Sequence, residues 1–203
     1  MINFEVLGRV TAWRENRVAK LQPVQQLLLA RLVVAGGREV SRAELERAVW
    51  DGAEPETGLK RVAHEVRFQL RALLPEDAPD PLPATAAGYV LPMDEDGADA
   101  LRFAARLRAA RDADAGETVP LLRAALREWG ANASGLYGGQ PLAGLGGAWA
   151  EQTRSALRSA YRDARFRCVQ ADMREHRYEQ LVWECDRLAT DLDALHDEDF
   201  VEL

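Results

Sequence analysis

Lysine, cysteine and long apolar runs are all scarce in this 203-residue chain, and each scarcity excludes something. The longest unbroken apolar stretches are a few residues, as in Leu27-Leu28-Leu29-Ala30, far short of the roughly 20 that cross a bilayer, so no membrane partner is expected. The start, Met1-Ile2-Asn3-Phe4-Glu5, lacks the basic and apolar regions of a signal peptide, which predicts a cytoplasmic protein. The two cysteines, Cys168 and Cys185, fall in helical, partly apolar surroundings, so buried free thiols are expected rather than a disulfide or a metal site. Net positive charge is missing as well. Counting Lys plus Arg against Asp plus Glu, residues 1–95 carry 12 and 14, and residues 96–203 carry 14 and 19. Nonspecific affinity for nucleic acid comes largely from phosphate neutralisation. A DNA reader built from this chain must therefore gather its cations on one face.

Catalytic and cofactor signatures are also lacking. The Gly-rich run Tyr137-Gly138-Gly139-Gln140-Pro141-Leu142-Ala143-Gly144-Leu145-Gly146-Gly147 has no Lys-Ser/Thr and follows no strand, so it reads as a connector rather than a phosphate cradle. His64, His176 and His196 stand on different elements without metal-ligand spacing. The acidic cluster Asp191, Asp193, Asp197, Glu198, Asp199 and Glu202 lacks the spacing of a calcium loop and reads as a solvated terminal helix. No nucleophile stands in a recognisable elbow. Neither catalysis nor a cofactor is expected.

What is present begins with short β-prone runs at 4–7, 10–13 and 18–21, separated by Gly8-Arg9 and Arg14-Glu15-Asn16-Arg17 as in a small antiparallel meander. Pro23 suits the first turn of a helix in which Val24, Leu27, Leu28, Leu32 and Ala35 recur until Gly36-Gly37 ends it. Ser41-x-x-Glu44 is a capping box opening a second helix that should bury Ala43, Leu45, Ala48, Val49 and Trp50. A third is expected from about Glu56 to Leu74, stopped by Pro75. After a proline-rich stretch, Ala84 to Leu91 reads as the return strand of a hairpin, with Gly88 allowing an unusual backbone angle. Sheet, three helices and hairpin is the order expected of a winged helix-turn-helix.

From about Asp99 the pattern is helical alone. Leu101, Ala104, Ala105 and Leu107 precede a turn at Ala113-Asp114-Ala115-Gly116. Leu122, Ala125, Leu126 and Trp129 then mark a helix started by Thr118 and Pro120. A long helix carries the stripe Trp149, Thr153, Ala156, Leu157, Ala160, Tyr161, Ala164, Cys168 and Ala171, and a further one carries Tyr178, Leu181, Val182, Cys185, Leu188 and Ala189. Helix pairs of this length suggest tetratricopeptide-like stacking. Residues 197–203 read as the start of another helix, with Phe200, Val201 and Leu203 forming an uncovered apolar seam. The module is therefore expected to be incomplete.

The third helix is the most informative element. At 100° per residue Leu59, Val62, Ala63, Val66, Leu70 and Leu73 share one side, while Thr57, Lys60, Arg61, His64, Phe68 and Arg71 occupy the other, with Arg67 at its edge. Such a strip suits a helix in the major groove, where Arg and Lys reach guanine edges or phosphates and Phe68 can meet a thymine methyl. A merely solvated helix face is the plain alternative.

Several motifs, in order, resemble the N-terminal part of the Streptomyces antibiotic regulatory proteins: Phe4-Glu5-Val6-Leu7-Gly8, Gln25-Gln26-Leu27-Leu28-Leu29-Ala30, Arg38-Glu39-Val40-Ser41, Ala48-Val49-Trp50, Leu70-Arg71 and Gly88-Tyr89-Val90-Leu91. Leu101-Arg102-Phe103, the 122–129 helix and Glu175-His176-Arg177-Tyr178-Glu179-Gln180-Leu181 are similar to that family's bacterial transcriptional activator domain. The position three before Leu70, apolar in most members, holds Arg67 here. The resemblance implies an α+β chain: a response-regulator-type (OmpR-like) winged helix-turn-helix over 1–95, then an all-α tetratricopeptide-like domain over 96–203. It further implies a transcriptional activator of a secondary-metabolite gene cluster. Such an activator binds double-stranded DNA at promoter direct repeats as side-by-side protomers and recruits RNA polymerase through its sigma subunit. The competing expectation, favoured by the acidic balance of 1–95, is a protein-interaction scaffold whose winged helix no longer binds DNA.

Overall fold

The computed structural model describes residues 1–53, 58–130 and 139–174. Strands β1 (Asn3–Glu5), β2 (Thr11–Arg14) and β3 (Arg17–Val18) form an antiparallel meander with Phe4 opposite Ala12 and Trp13 opposite Val18. Alternation turns Phe4 and Ala12 into the core, while the Glu5 carboxylate stays outside and accepts from Thr11 Oγ1 and Trp13 Nε1, each at 3.1 Å.

Helix α1 (Pro23–Ala35) has proline in its first turn and ends on Gly36 in the left-handed region, φ 61°. Leu28, Leu29, Ala30, Leu32 and Val33 are all inaccessible, so α1 is buried on most of its circumference and forms the axis of the core. Each such leucine contributes about 1.5–3 kcal/mol by leaving water. Helix α2 (Arg42–Trp50) opens on the expected box: Ser41 Oγ accepts from the Glu44 N–H at 3.3 Å, and the Glu44 carboxylate accepts from the Ser41 N–H at 3.0 Å. The Ser41 donors hold the Glu44 carboxyl below its usual range. Leu45, Ala48 and Val49 are buried, but Ala43 is exposed, because it lies about 200° around the helix from Leu45. Helix α3 (Leu59–Arg71) begins later than expected from the pattern, since Gly58 is its extended N-cap (φ −62°, ψ 145°), and ends before Leu74 in single turns that lead to Pro75.

Strands β4 (Val40–Ser41) and β5 (Gly88–Tyr89) pair antiparallel, and Ala84 bridges Tyr89 to close the hairpin. Gly88 is needed here for a different reason from the one expected. A Cβ on it would stand 1.9 Å from the Val40 carbonyl oxygen, so the close approach of two strands, not an unusual angle, demands glycine.

Three helices follow: α4 (Asp99–Asp112), α5 (Ala115–Arg127) and α6 (Ala148–Arg174). Helix α5 starts at Ala115, inside the segment expected to be a turn, and Pro120 lies within it rather than at its start. Phe103, Trp129 and Tyr161 form an aromatic cluster between these helices, Phe103 edge-on to Trp129 at 5.5 Å and Trp129 tilted over Tyr161 at 4.6 Å. In α6 Ala164 and Cys168 are buried as expected, whereas Ala156 is exposed, and Ala150, Arg154 and Val169 take core positions that the apolar stripe did not include. Cys168 is a buried free thiol. The expected 178–189 helix with Cys185, the acidic cluster and the terminal seam lie outside the described residues.

A single apolar cluster runs from Ile2 and Leu28 through Leu91 to Phe103, Trp129 and Tyr161, crossing residue 95 without a break. At that junction the buried Asp99 carboxylate accepts from the Val6 N–H at 2.9 Å and the Leu7 N–H at 3.0 Å, so the first turn of α4 grips the chain just after β1. The Leu142 and Ala143 N–H groups donate to the Val6 and Gly8 carbonyls, tying the later loop to the same region, and the Ala148 N–H donates to Asp51 Oδ2 at 3.1 Å, tying the start of α6 to the end of α2.

Candidate nucleic-acid interface

Helix α3 is pinned by one side. Leu59, Val62, Ala63, Val66 and Leu70 are all buried, as the 3.6-residue period requires. That leaves Lys60, Arg61, His64 and Phe68 in solvent, and Lys60, His64 and Phe68 fall in one i, i+4 line along the axis. Phe68 is 66% exposed, an uncommon place for a large apolar ring. Arg61 is 76% exposed and pairs with Glu65 at 3.2 Å one turn on. The Glu65 carboxyl is held below its usual range, first by the Gln25 amide, which donates to it at 2.8 Å, and then by the Arg61 guanidinium.

Lys20 joins this surface from the segment between β3 and α1. Its backbone N–H donates to Gln69 Oε1 at 3.2 Å, and with Gln25, His64, Phe68 and Gln69 it lines a shallow cleft of about 460 Å³. Both lysines of the chain thus lie on one surface. The α3 pattern could not show this, because Lys20 is brought in from a separate segment.

Two members of the expected strip are turned elsewhere. Arg67 donates to the Leu82 carbonyl through Nε at 3.1 Å and a terminal nitrogen at 2.6 Å, and pairs with Asp80 at 3.1 Å. Arg71 donates to the Glu76, Ala78 and Pro79 carbonyls. Both guanidiniums are therefore committed to the proline-rich segment that leads to β5. Thr57 lies outside the described residues. At the far end of α3, Arg17 donates to the Ala72 carbonyl at 2.9 Å and the Leu73 carbonyl at 3.2 Å, holding the sheet to the helix terminus. At the hairpin, Ala86 and Ala87 are exposed and uncharged.

The arrangement can place two lysines, an arginine, a histidine and an aromatic ring against a polyanion. Among the described residues no group of three His, Cys, Asp or Glu side chains could hold a metal ion, and no helix is long and apolar enough to cross a membrane.

No family model matches the chain. The structure of Mycobacterium tuberculosis EmbR, in complex with a low-affinity phosphopeptide, has a TM-score of 0.78 against it at 23% identity, over 95% of this chain and 51% of that one. The fold is thus the mixed α+β fold of EmbR. The regulatory protein AfsR of Streptomyces coelicolor is 32% identical over 162 residues, which cover 77% of this chain and 15% of that protein. The chain spans about one seventh of the length of AfsR and half of EmbR. AfsR is by its name a regulatory protein. The match to AfsR bears out the resemblance to the Streptomyces antibiotic regulatory proteins.

Proposed function

We propose that this chain is the DNA-reading part of a transcriptional activator, with residues 1–95 acting as a winged helix-turn-helix and residues 96–203 as a tetratricopeptide-like module for protein contacts. The observation that carries the reading is the two-sided character of α3: five residues sealed in the core on one side, and Lys60, Arg61, His64 and Phe68 exposed on the other. Docked in the major groove, this face directs Lys60 and Arg61 to guanine edges or phosphates and Phe68 to a thymine methyl, with Lys20 meeting the flanking backbone. Protomers bind side by side on direct repeats about one helical turn apart, near 10–11 bp, so that both helices enter the same face of the duplex. RNA polymerase, through its sigma subunit, is the partner of the assembled complex, and the target is the promoter of a secondary-metabolite gene cluster.

Fluorescence anisotropy against the neighbouring promoter, titrated at several salt concentrations, tests this. Arg61→Ala or Lys60→Ala should weaken binding by about 1–3 kcal/mol where the side chain pairs with a base, and relax preference at one position. Wild-type affinity in both folded variants would overturn the groove-reading assignment. The scaffold reading, which draws on the commitment of Arg67 and Arg71 to the loop, would then stand in its place.

A further inference from the structure

Strand β1 and the proline-rich segment line an open pocket of about 580 Å³ to which none of Lys60, Arg61, His64 and Phe68 contributes, a volume within the range of small-molecule sites. Its base is apolar, with Ile2, Phe4 and Leu91 buried and Leu74 and Met93 half-buried at the sides. Pro79, Pro81 and Pro83 contribute one wall and Pro92 another, and their fixed φ angles stiffen backbone that a freely jointed loop would let collapse. The rim is acidic. Asp80 and Asp94 both line it, while among the described residues no lysine, arginine or histidine side chain does. Asp80 Oδ1 is used by Arg67 and by the Leu82 N–H at 3.0 Å. Asp94 precedes the 3-10 turn Glu95–Gly97, and its exposed side chain does not cap it.

We infer that this pocket binds a small, largely apolar molecule carrying one cationic nitrogen. The apolar body lies on Phe4, Leu74 and Leu91, and the cation stands at the rim beside Asp94, with Asp80 as a second carboxylate. Size and apolar lining select a compact organic molecule, and the Asp94 carboxylate selects its charge, since Asp80 is already paired with Arg67. The occupied wall is the segment whose Glu76, Ala78 and Pro79 carbonyls Arg71 holds and whose Asp80 and Leu82 hold Arg67. Occupation therefore bears on two arginines of α3. This last consequence rests on the DNA-reading role of that helix, whereas the pocket itself does not.

The test uses the full chain without DNA and three fluorescent probes that share the dansyl group: monodansylcadaverine (cationic), its N-acetyl derivative (neutral) and dansylglycine (anionic). The cationic probe should give a saturable, blue-shifted emission, with the neutral probe roughly two- to fivefold weaker and the anionic probe weaker still. Asp94→Asn, at an exposed position, should abolish the preference for the cationic over the neutral probe. Ala78→Trp, which projects a large ring into the cavity, should eliminate binding of all three while circular dichroism stays native. Absence of saturable binding to the wild-type chain overturns the proposal. So does dansylglycine binding as tightly as monodansylcadaverine, or an unchanged preference in Asp94→Asn, a result that stands even if Ala78→Trp fails to fold. Because these measurements are made off DNA, a chain that binds the probe but no promoter overturns the proposed function and leaves the pocket intact.

Discussion

Arginine is put to opposite uses on the exposed face of α3 and in the helical region after Asp99. In α3, Arg61 projects into water with only Glu65 beside it. In the helical region Arg154 is 4% exposed and donates to the Pro141, Leu142 and Leu145 carbonyls at 2.7–3.2 Å, and Arg102 and Arg106 converge on the Glu128 carboxylate. Arg123 pairs with the buried Asp172 at 2.6 Å. A guanidinium is always charged and presents a rigid fork of donors. Its use therefore depends on whether the surrounding backbone offers carbonyls to fill that fork. The division even runs through α3, since Arg61 is left to solvent while Arg67 and Arg71, one to two turns on, bind the proline-rich segment. Counting charge over 1–95 could not separate these cases.

The sharpest break of this contrast is Arg154→Ala. It should cost about 3–5 kcal/mol in urea denaturation, because three buried carbonyls lose their donor at once, with DNA affinity of the folded fraction unchanged. A cost below about 1 kcal/mol would show that the buried arginine is not structural.

Next in size is the pH dependence set by Asp99. Burial is the largest influence on its carboxyl and pushes its pKa up to about 6 from 3.8, against the Val6, Leu7 and Ala100 N–H groups, which pull it down. The folded state therefore holds the proton more tightly than the unfolded state between those values. The contribution of this group to stability is fully present below about pH 3.8 and is lost as pH rises through about 6. The difference corresponds to about 3 kcal/mol. Asp99→Asn should remove this pH dependence, so that its stability relative to wild type improves by about that amount between pH 4 and pH 7. Parallel stability curves for the two proteins would refute the assignment.

Arg71→Ala sharpens the division within α3. It should lower stability by about 1–2 kcal/mol through the loss of the loop carbonyl contacts, with little change in base preference, the reverse of the result expected for Arg61→Ala. A loss of base preference in Arg71→Ala would mean that the guanidinium leaves the loop on DNA. The smallest effect is expected at the hairpin tip, where the Ala87 carbonyl accepts the Arg42 N–H and neither exposed alanine carries charge. Ala87→Ser should change DNA affinity and stability by less than about 0.5 kcal/mol.

Local pattern was enough wherever the causes are local. The proline start and glycine end of α1, the Ser41–Glu44 box and the buried side of α3 follow from residues within a few positions of one another, and the spacing of apolar residues alone dictates which side of α3 faces the core. Family resemblance, carried by the order of loose motifs, was legible in the same way. Long-range partners were not. Whether Arg67 meets a base or the Leu82 carbonyl, whether Lys20 shares a surface with Lys60, and why Gly88 must lack a Cβ against Val40 depend on segments brought together from 15 to 48 positions apart. The Asp99 grip on Val6 spans 93 positions. The arginine and aspartate contacts are a matter of which hydrogen-bonding groups remain unpaired once the chain has packed, and the Gly88 constraint of how closely two strands approach. A periodicity that marks the direction a side chain leaves its helix contains nothing about what awaits it there, and only the packed chain supplies the partner.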